Sequence, residues 1–268
     1  MNKLILGDST IELKNIKSGS IDFICTDLPY GISRKSGYVN NSPDKLDYIA
    51  KYGKHKIDFG EWDTKDIDLN ELANEYFRIL RDGGVVVIFY DIWGSTMIKD
   101  AFKKFKQPRV LEWIKTNPVP INSKLNFLSN AKEYMFSFVK KSKPTFNSEY
   151  NVGSFSFPIV HGKVRTEHTT QKPVQLIKEL IEIYTTEDMT VLDSTAGSMT
   201  TAIACIDTNR KYICIEQNPA YFRMGEARVN NYLKTGKDEY NKQDWNIETN
   251  TEKPTNDVIE DNDSFWAS

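Results

Sequence analysis

Short apolar runs recur along this chain, and four of them stop at a carboxylate: Lys3 to Asp8, Ile21 to Asp27, Thr190 to Asp193 and Lys211 to Glu216. Ile21 to Asp27 is apolar enough to be buried on both faces, as parallel strands are. Val85 to Tyr90 and Val110 to Ile114 are predicted as further strands, and Glu133 to Lys140 alternates in the manner of a strand. Helical spacing marks Leu69 to Leu80, Ser95 to Phe105, Pro173 to Tyr184, Ser198 to Asp207 and Pro219 to Tyr232. Asp82-Gly83-Gly84 is expected to stop the first of these helices. Strand and helix alternate through the C-terminal half, which implies an α/β fold with parallel pairing and right-handed crossovers. Ser33 to Asp63 and Lys140 to Thr170 lack periodicity, and Ser33 to Asp63 is expected to be a mobile loop, of a length that is usually functional or disordered.

The 268 residues suffice for one large domain with a substantial core. No apolar run approaches the roughly 20 residues of a membrane helix, and Met1 to Leu6 lacks signal-peptide character, so a cytoplasmic protein is expected. Cys25, Cys205 and Cys214 sit singly inside apolar runs, which suggests buried thiols and no metal site. The net charge of −2 hides an asymmetry: from Lys237 on, 3 Lys face 9 Asp and Glu, so that stretch carries −6 and the preceding residues +4. A mildly basic body is compatible with a nucleic-acid partner. The acidic stretch 237–268 is expected to be a disordered tail following a domain of residues 1–236.

Asp193 closes a strand, a turn of small residues follows, and Glu216 closes the next strand about 23 residues later. In open α/β sheets ligands bind at such strand ends, and an acidic residue at that spacing commonly takes ribose hydroxyls, so an adenosine-containing cofactor is suggested. Capping of a turn and a helix start is the plainer alternative for the same two carboxylates. Asp27-Leu28-Pro29-Tyr30 offers a carboxylate, a carbonyl followed by an imino acid, and an aromatic face. That combination suits a planar base with an amino group: two acceptors take its two N–H donors while the ring stacks on Tyr30.

On these motifs the chain resembles the amino-group DNA methyltransferases that use S-adenosylmethionine, in the circularly permuted beta-class order. The family's Asp-Pro-Pro-Tyr is similar to Asp27-Leu28-Pro29-Tyr30, its pre-helix motif to His168-Thr169-Thr170-Gln171-Lys172-Pro173, and its cofactor motif to Asp193-Ser194-Thr195-Ala196-Gly197-Ser198-Met199-Thr200-Thr201. The resemblance implies a Rossmann-like methyltransferase fold, with a mostly parallel seven-stranded sheet and helices on both faces. It assigns Asp27, Leu28, Pro29 and Tyr30 to catalysis; Asp193, Gly197 and Ser198 to the methionine part of the cofactor, with Ala196 also cofactor-binding; Glu216 to the ribose; and Asp8 to the adenine. Gln171, Lys172 and Pro173 are expected to close the cofactor pocket. Double-stranded DNA is the implied substrate and a homodimer the implied assembly.

Within the family an initial Asp in the tetrapeptide leans toward adenine rather than cytosine, and the target-recognition region falls at residues 140–167. Arg34, Lys35, Lys141, Lys163 and Arg165 are the candidate DNA contacts, against the plainer reading of a soluble charged face. Two departures from the cofactor motif stand out. Thr195 replaces an aromatic ring, and Met199 places a side chain where glycine lets the cofactor approach, so weakened cofactor affinity is expected. A cytosine-N4 enzyme, and a DNA-binding protein with a decayed cofactor site, are the alternatives.

Overall fold

Runs too apolar to face water on either side lie next to one another in the computed structural model, which describes residues 2–29, 67–118, 131–168 and 170–239. Eight strands form one sheet: β1 (Lys3–Leu6), β2 (Ile21–Asp27), β3 (Leu80–Phe89), β4 (Lys106–Lys115), β5 (Lys132–Val139), β6 (Ser154–Phe157), β7 (Thr190–Asp193) and β8 (Lys211–Glu216). Their order is β1-β8-β7-β2-β3-β5-β4-β6. Five neighbouring pairs are parallel; β5 runs antiparallel to both β3 and β4. The helices among the described residues are α1 (Ser9–Asn15), α2 (Leu69–Ile79), α3 (Ser95–Ala101), α4 (Val174–Tyr184), α5 (Thr200–Asp207) and α6 (Pro219–Thr235). None is long and apolar enough to cross a membrane. By contact, the chain divides into two compact units, Met1–Leu28 with Leu69–Ser268, and Pro29–Asp68.

β2, which the pattern marked as two-sided, is a central strand, and Phe23 and Ile24 of β2, Val86, Val87 and Ile88 of β3, and Val191 and Leu192 of β7 are fully buried or nearly so. α4 turns Leu176, Ile177, Leu180 and Ile181 inward, and α2 turns in Leu72, Ala73, Tyr76 and Ile79. Phe102, at the end of α3, stacks on Phe138 of β5 at a centroid distance of 5.0 Å.

Three expectations change. The sheet has eight strands instead of seven, because Ser154–Phe157, in a stretch that looked irregular, pairs with β4 as an edge strand; the Trp113 indole N–H donates to the Phe157 carbonyl at 2.8 Å. The first carboxylate does not end β1, since Asp8 instead caps α1 by accepting from the Thr10 N–H at 2.9 Å. Gly83 and Gly84 do not separate helix from strand: β3 starts at Leu80 and runs through them with a register shift against β2. Gly83 has φ +80°, and a Cβ there would come 2.6 Å from the Lys143 carbonyl oxygen, so only glycine fits this irregularity.

β7 and β2 are neighbours whose onward connections diverge. From β7 the chain passes through α5 to β8 on one side; from β2 it leads to β3 on the other. Such a switch point leaves a crevice at the carboxyl ends of the two strands, which are Asp193 and Asp27.

Candidate active site

Parallel pairing of Ile24 with Leu192 sets the ends of β2 and β7 at one edge of the sheet. A cavity there is lined by Asp27, Gln171, Lys172, Asp193, Ala196, Gly197 and Ser198, all expected from the sequence, together with Thr26, Phe89, His168, Thr170, Thr195 and others. Leu28 is buried beside Asp27. Asp8, Pro173 and Glu216 lie outside this lining. Glu216 is nonetheless tied to it, because its carboxylate accepts from the Gly197 N–H at 2.8 Å and the Asn218 N–H at 2.7 Å. β1 brings Asp8 to the same edge, where the Gly7 N–H donates to the Glu216 carbonyl at 3.0 Å. Pro173 caps α4. Tyr30, Arg34, Lys35 and the expected loop 33–63 lie outside the described residues, as does most of the acidic tail.

Asp193 and Glu216 are buried carboxylates with no ion-pair partner among the described residues. Burial pushes Asp193 up to about 7 even though the Thr201 hydroxyl, at 2.6 Å, and the Thr195 N–H, at 3.1 Å, donate to it. Burial raises Glu216 in the same direction, against the backbone N–H groups that favour its charge. Two uncompensated carboxylates at successive strand ends fit a ligand carrying a cationic amino group and neighbouring hydroxyls. The crevice is narrow, about 40 Å³. The His168 ring lies directly on Gly197, where a Cβ would come 2.6 Å from Nε2; it also meets the Tyr221 ring at 4.7 Å, and its Nδ1 accepts from the Thr170 N–H at 3.4 Å. Burial, with Lys172, Arg165 and Arg228 nearby, lowers His168 to about 4, so the ring is neutral.

Lys172 has a second role that its position in the pre-helix motif did not suggest. Its ammonium pairs with the Asp27 carboxylate and lies 3.3 Å from Glu133, which in turn pairs with Lys115 at 2.8 Å. Burial opposes the charge on Lys172, but Asp27 and Glu133 outweigh it and raise its pKa. Burial likewise opposes the charge on Glu133, and Lys172 and Lys115 reverse that, lowering it. Four charges thus alternate in sign at the strand ends, and Glu133 and Lys115 were not recognisable as site residues from sequence. Gln171 works on the adjoining loop: its side-chain oxygen accepts from the Thr166 N–H at 2.8 Å and its amide donates to the Val164 carbonyl at 2.9 Å. It thereby holds the turn that carries Lys163 and Arg165, both exposed, on the catalytic side.

Lys141 lies elsewhere. Val139 pairs with Val85, level with Phe23 at the start of β2, so residues 140–153 begin at the edge opposite Asp27. There Lys141 pairs with Asp82 at 3.4 Å, and Lys140 is buried against the Leu80 carbonyl. The basic cluster of the sequence is therefore split between the two edges of the sheet.

Met199 also departs from expectation. Its backbone is left-handed (φ 59°), its side chain is fully buried, and that side chain is absent from the cavity lining. It lies instead against Gly225 of α6, where a Cβ would come 2.3 Å from the Met199 Cγ. The buried Arg228, another residue unmarked by the sequence, fastens the same turn: it donates to the Ser198 carbonyl at 2.7 Å and forms a bidentate pair with Asp238, both contacts 2.7 Å.

The N6/N4-type DNA methylase family model matches residues 21–227. The chain belongs to this family. It is 30% identical over 251 residues to the type II methyltransferase M.HinfI of Haemophilus influenzae, covering 85% of this chain and 68% of the relative. It is 26% identical over 257 residues to the DNA adenine methyltransferase YhdJ of Escherichia coli K12, covering 84% and 82% of the two chains. Among solved structures, that of the M1.HpyAVI–SAM complex is similar, with a TM-score of 0.63 at 26% identity, covering 86% of this chain and all of the other. The protein is thus a DNA methyltransferase of the amino-group class, and its matched segment contains both strand-end carboxylates and the switch-point crevice between them.

Proposed function

We propose that this methyltransferase acts on adenine at specific DNA sites, receiving the methyl group of S-adenosylmethionine on the exocyclic nitrogen of a base extruded from the duplex. The observation that carries this reading is the pairing of Asp27 with Lys172 at the end of β2, next to the uncompensated Asp193 at the end of β7. The cation fixes the carboxylate as an acceptor facing the crevice. Asp27 and the Leu28 carbonyl accept the two N–H bonds of the amino group, and Tyr30 stacks on the ring. Held in this way, the nitrogen lone pair turns out of conjugation and toward an electrophile, so catalysis is by positioning and electrostatics. When bound, S-adenosylmethionine supplies that electrophile as a sulfonium methyl. Asp193, Gly197 and Ser198 would hold its methionine part, with Ala196 beside them, Glu216 the ribose hydroxyls and Asp8 the adenine. Lys163 and Arg165 contact DNA phosphates beside the site. Extrusion of the base costs a few kcal/mol, offset by stacking and edge hydrogen bonds.

The test is transfer of labelled methyl from S-adenosylmethionine to unmethylated genomic DNA, followed by nucleoside analysis. Label in N6-methyladenine is expected, with none when Asp27→Ala is used although that variant still binds the cofactor. Label in N4-methylcytosine would replace adenine by cytosine. DNA binding without transfer would make the protein a binding module.

A further inference from the structure

Four hydroxyl groups from three parts of the fold run in a line to the backbone of the catalytic segment. Tyr76 of α2 is hydrogen-bonded to Ser194, Ser194 to Thr26 of β2 at 3.1 Å, Thr26 to Thr195 at 2.7 Å, and the Thr195 hydroxyl donates to the Asp27 carbonyl oxygen at 2.9 Å. Tyr76, Thr26 and Ser194 are almost completely buried.

Each hydroxyl has one hydrogen to give. The Asp27 carbonyl can only accept, so the Thr195 hydrogen is committed to it, and the Thr26 hydrogen is shared between Thr195 and the Asp193 carboxylate, which also lies within its reach. The Thr26 hydrogen being used, Ser194 donates to Thr26 and Tyr76 to Ser194. Every bond therefore points the same way, and each donor is polarised by the one behind it. Burial raises the Tyr76 phenol, which keeps the chain's first proton in place. Ser194 and Thr195, both in the cofactor turn after β7, supply the middle and the end of this line.

We propose that Thr195 is a positioning residue: through its hydroxyl, the cofactor turn after β7 fixes the Asp27–Leu28 peptide and so the two acceptors that hold the target amino group. This rests on the assignment of Asp27 and Leu28 made above. Where the family motif carries an aromatic ring, Thr195 joins the two segments by a directed hydrogen bond.

The test is single-turnover methyl transfer together with calorimetric S-adenosylmethionine binding for Thr195→Val, Thr195→Ser, Thr26→Val and Tyr76→Phe. Thr195→Val keeps the shape and removes the donor; its transfer rate is expected to fall about tenfold, as small misplacements of reacting groups do, while cofactor Kd stays within about threefold. Thr195→Ser restores the rate. The loss is graded along the line, with Tyr76→Phe mildest and Thr26→Val intermediate. A full rate in Thr195→Val overturns the proposal, as does a reversed gradient. A loss of cofactor affinity equal to the loss of rate also overturns it, and makes Thr195 a wall of the cofactor pocket. Should Thr195→Val fail to fold, the Tyr76→Phe and Thr26→Val gradient decides. Wild-type protein that transfers no methyl, or Asp27→Ala that transfers normally, marks failure of the underlying site assignment instead.

Discussion

Replacing Met199 by glycine would restore the residue the family motif carries, and the structure predicts that the change harms folding without helping the cofactor. The Met199 side chain is fully buried, so removing it forfeits about 2–5 kcal/mol by analogy with other large-to-small core changes. Relief of the left-handed backbone at φ 59° returns about 1–2 kcal/mol. The net is a destabilisation of up to about 4 kcal/mol, about 2 kcal/mol at the midpoints of the two ranges. Gly225→Ala by itself overpacks the same contact, because the new methyl would lie 2.3 Å from the Met199 Cγ, and such insertions cost about 1–3 kcal/mol. In the double variant the alanine methyl takes space the methionine has left, so the two effects should be less than additive by at least about 1 kcal/mol. Urea denaturation of the four proteins measures the cycle, and calorimetry measures cofactor affinity, expected within about threefold of wild type in Met199→Gly since the side chain faces α6. Additive stabilities would refute the contact. A tenfold gain in cofactor affinity would refute the orientation and restore the view that Met199 obstructs the site.

Lys172→Met should abolish methyl transfer and destabilise the fold by about 3–5 kcal/mol at pH 8, because Asp27 and Glu133 lose the cation between them; the deficit should shrink toward pH 5 as the orphaned carboxylates take up protons, and an equal deficit at both pH values would contradict the pairing. Asp193 titrates near 7 in the folded chain against about 3.9 unfolded, so between those values the folded state holds the extra proton and stability from this group falls as pH rises, by up to about 4 kcal/mol. Asp193→Asn should therefore flatten the urea-denaturation profile between pH 4 and 7 relative to wild type, and parallel profiles would count against the shift. Asp238→Ala strands the buried Arg228 guanidinium and should lower stability by about 3 kcal/mol; an unchanged urea midpoint would show that its remaining bonds, to the Ser198 carbonyl at 2.7 Å and the Thr200 hydroxyl at 3.1 Å, suffice alone.

The central strands and α4 were legible because their patterns are dictated by burial on both faces or on one. What escaped was set by local capping or by contacts distant in sequence. α1 has only seven residues, and the Asp8 cap that starts it also reads as a strand-terminal carboxylate. β6 has four residues in a polar stretch and becomes a strand because β4 offers it an edge. At the site, each cofactor-side carboxylate could be picked out as the end of an apolar run, whereas Glu133 is the second residue of its strand and is joined to Asp27 through Lys172, 39 positions away. The separation of Lys141 from Lys163 and Arg165 was equally hidden, since the basic residues cluster along the chain while β6 carries the backbone from one sheet edge back to the other.

The two substitutions in the cofactor motif that read as losses each have a partner elsewhere in the fold. Thr195 gives up an aromatic surface and gains a donor directed at the Asp27 carbonyl, which draws on hydroxyls at Thr26, Ser194 and Tyr76. Met199 gives up the freedom of glycine and gains a place against α6 that exists because residue 225 has no side chain. A decayed turn would leave polar atoms unpaired or space unfilled, since buried donors and tight contacts persist only when their counterparts are present. Here the buried hydroxyls are all bonded and the methionine is enclosed, so the turn is a packed alternative to the family motif, and its residues function as a set with β2, α2 and α6. Restoring the family's aromatic ring at Thr195 alone would take the donor from the Asp27 carbonyl and leave the Thr26 hydroxyl with the Asp193 carboxylate as its acceptor. The motif is therefore not transferable one residue at a time: what matters at the end of β7 is that the turn stays joined to Asp27, and this chain achieves that through hydrogen-bond direction.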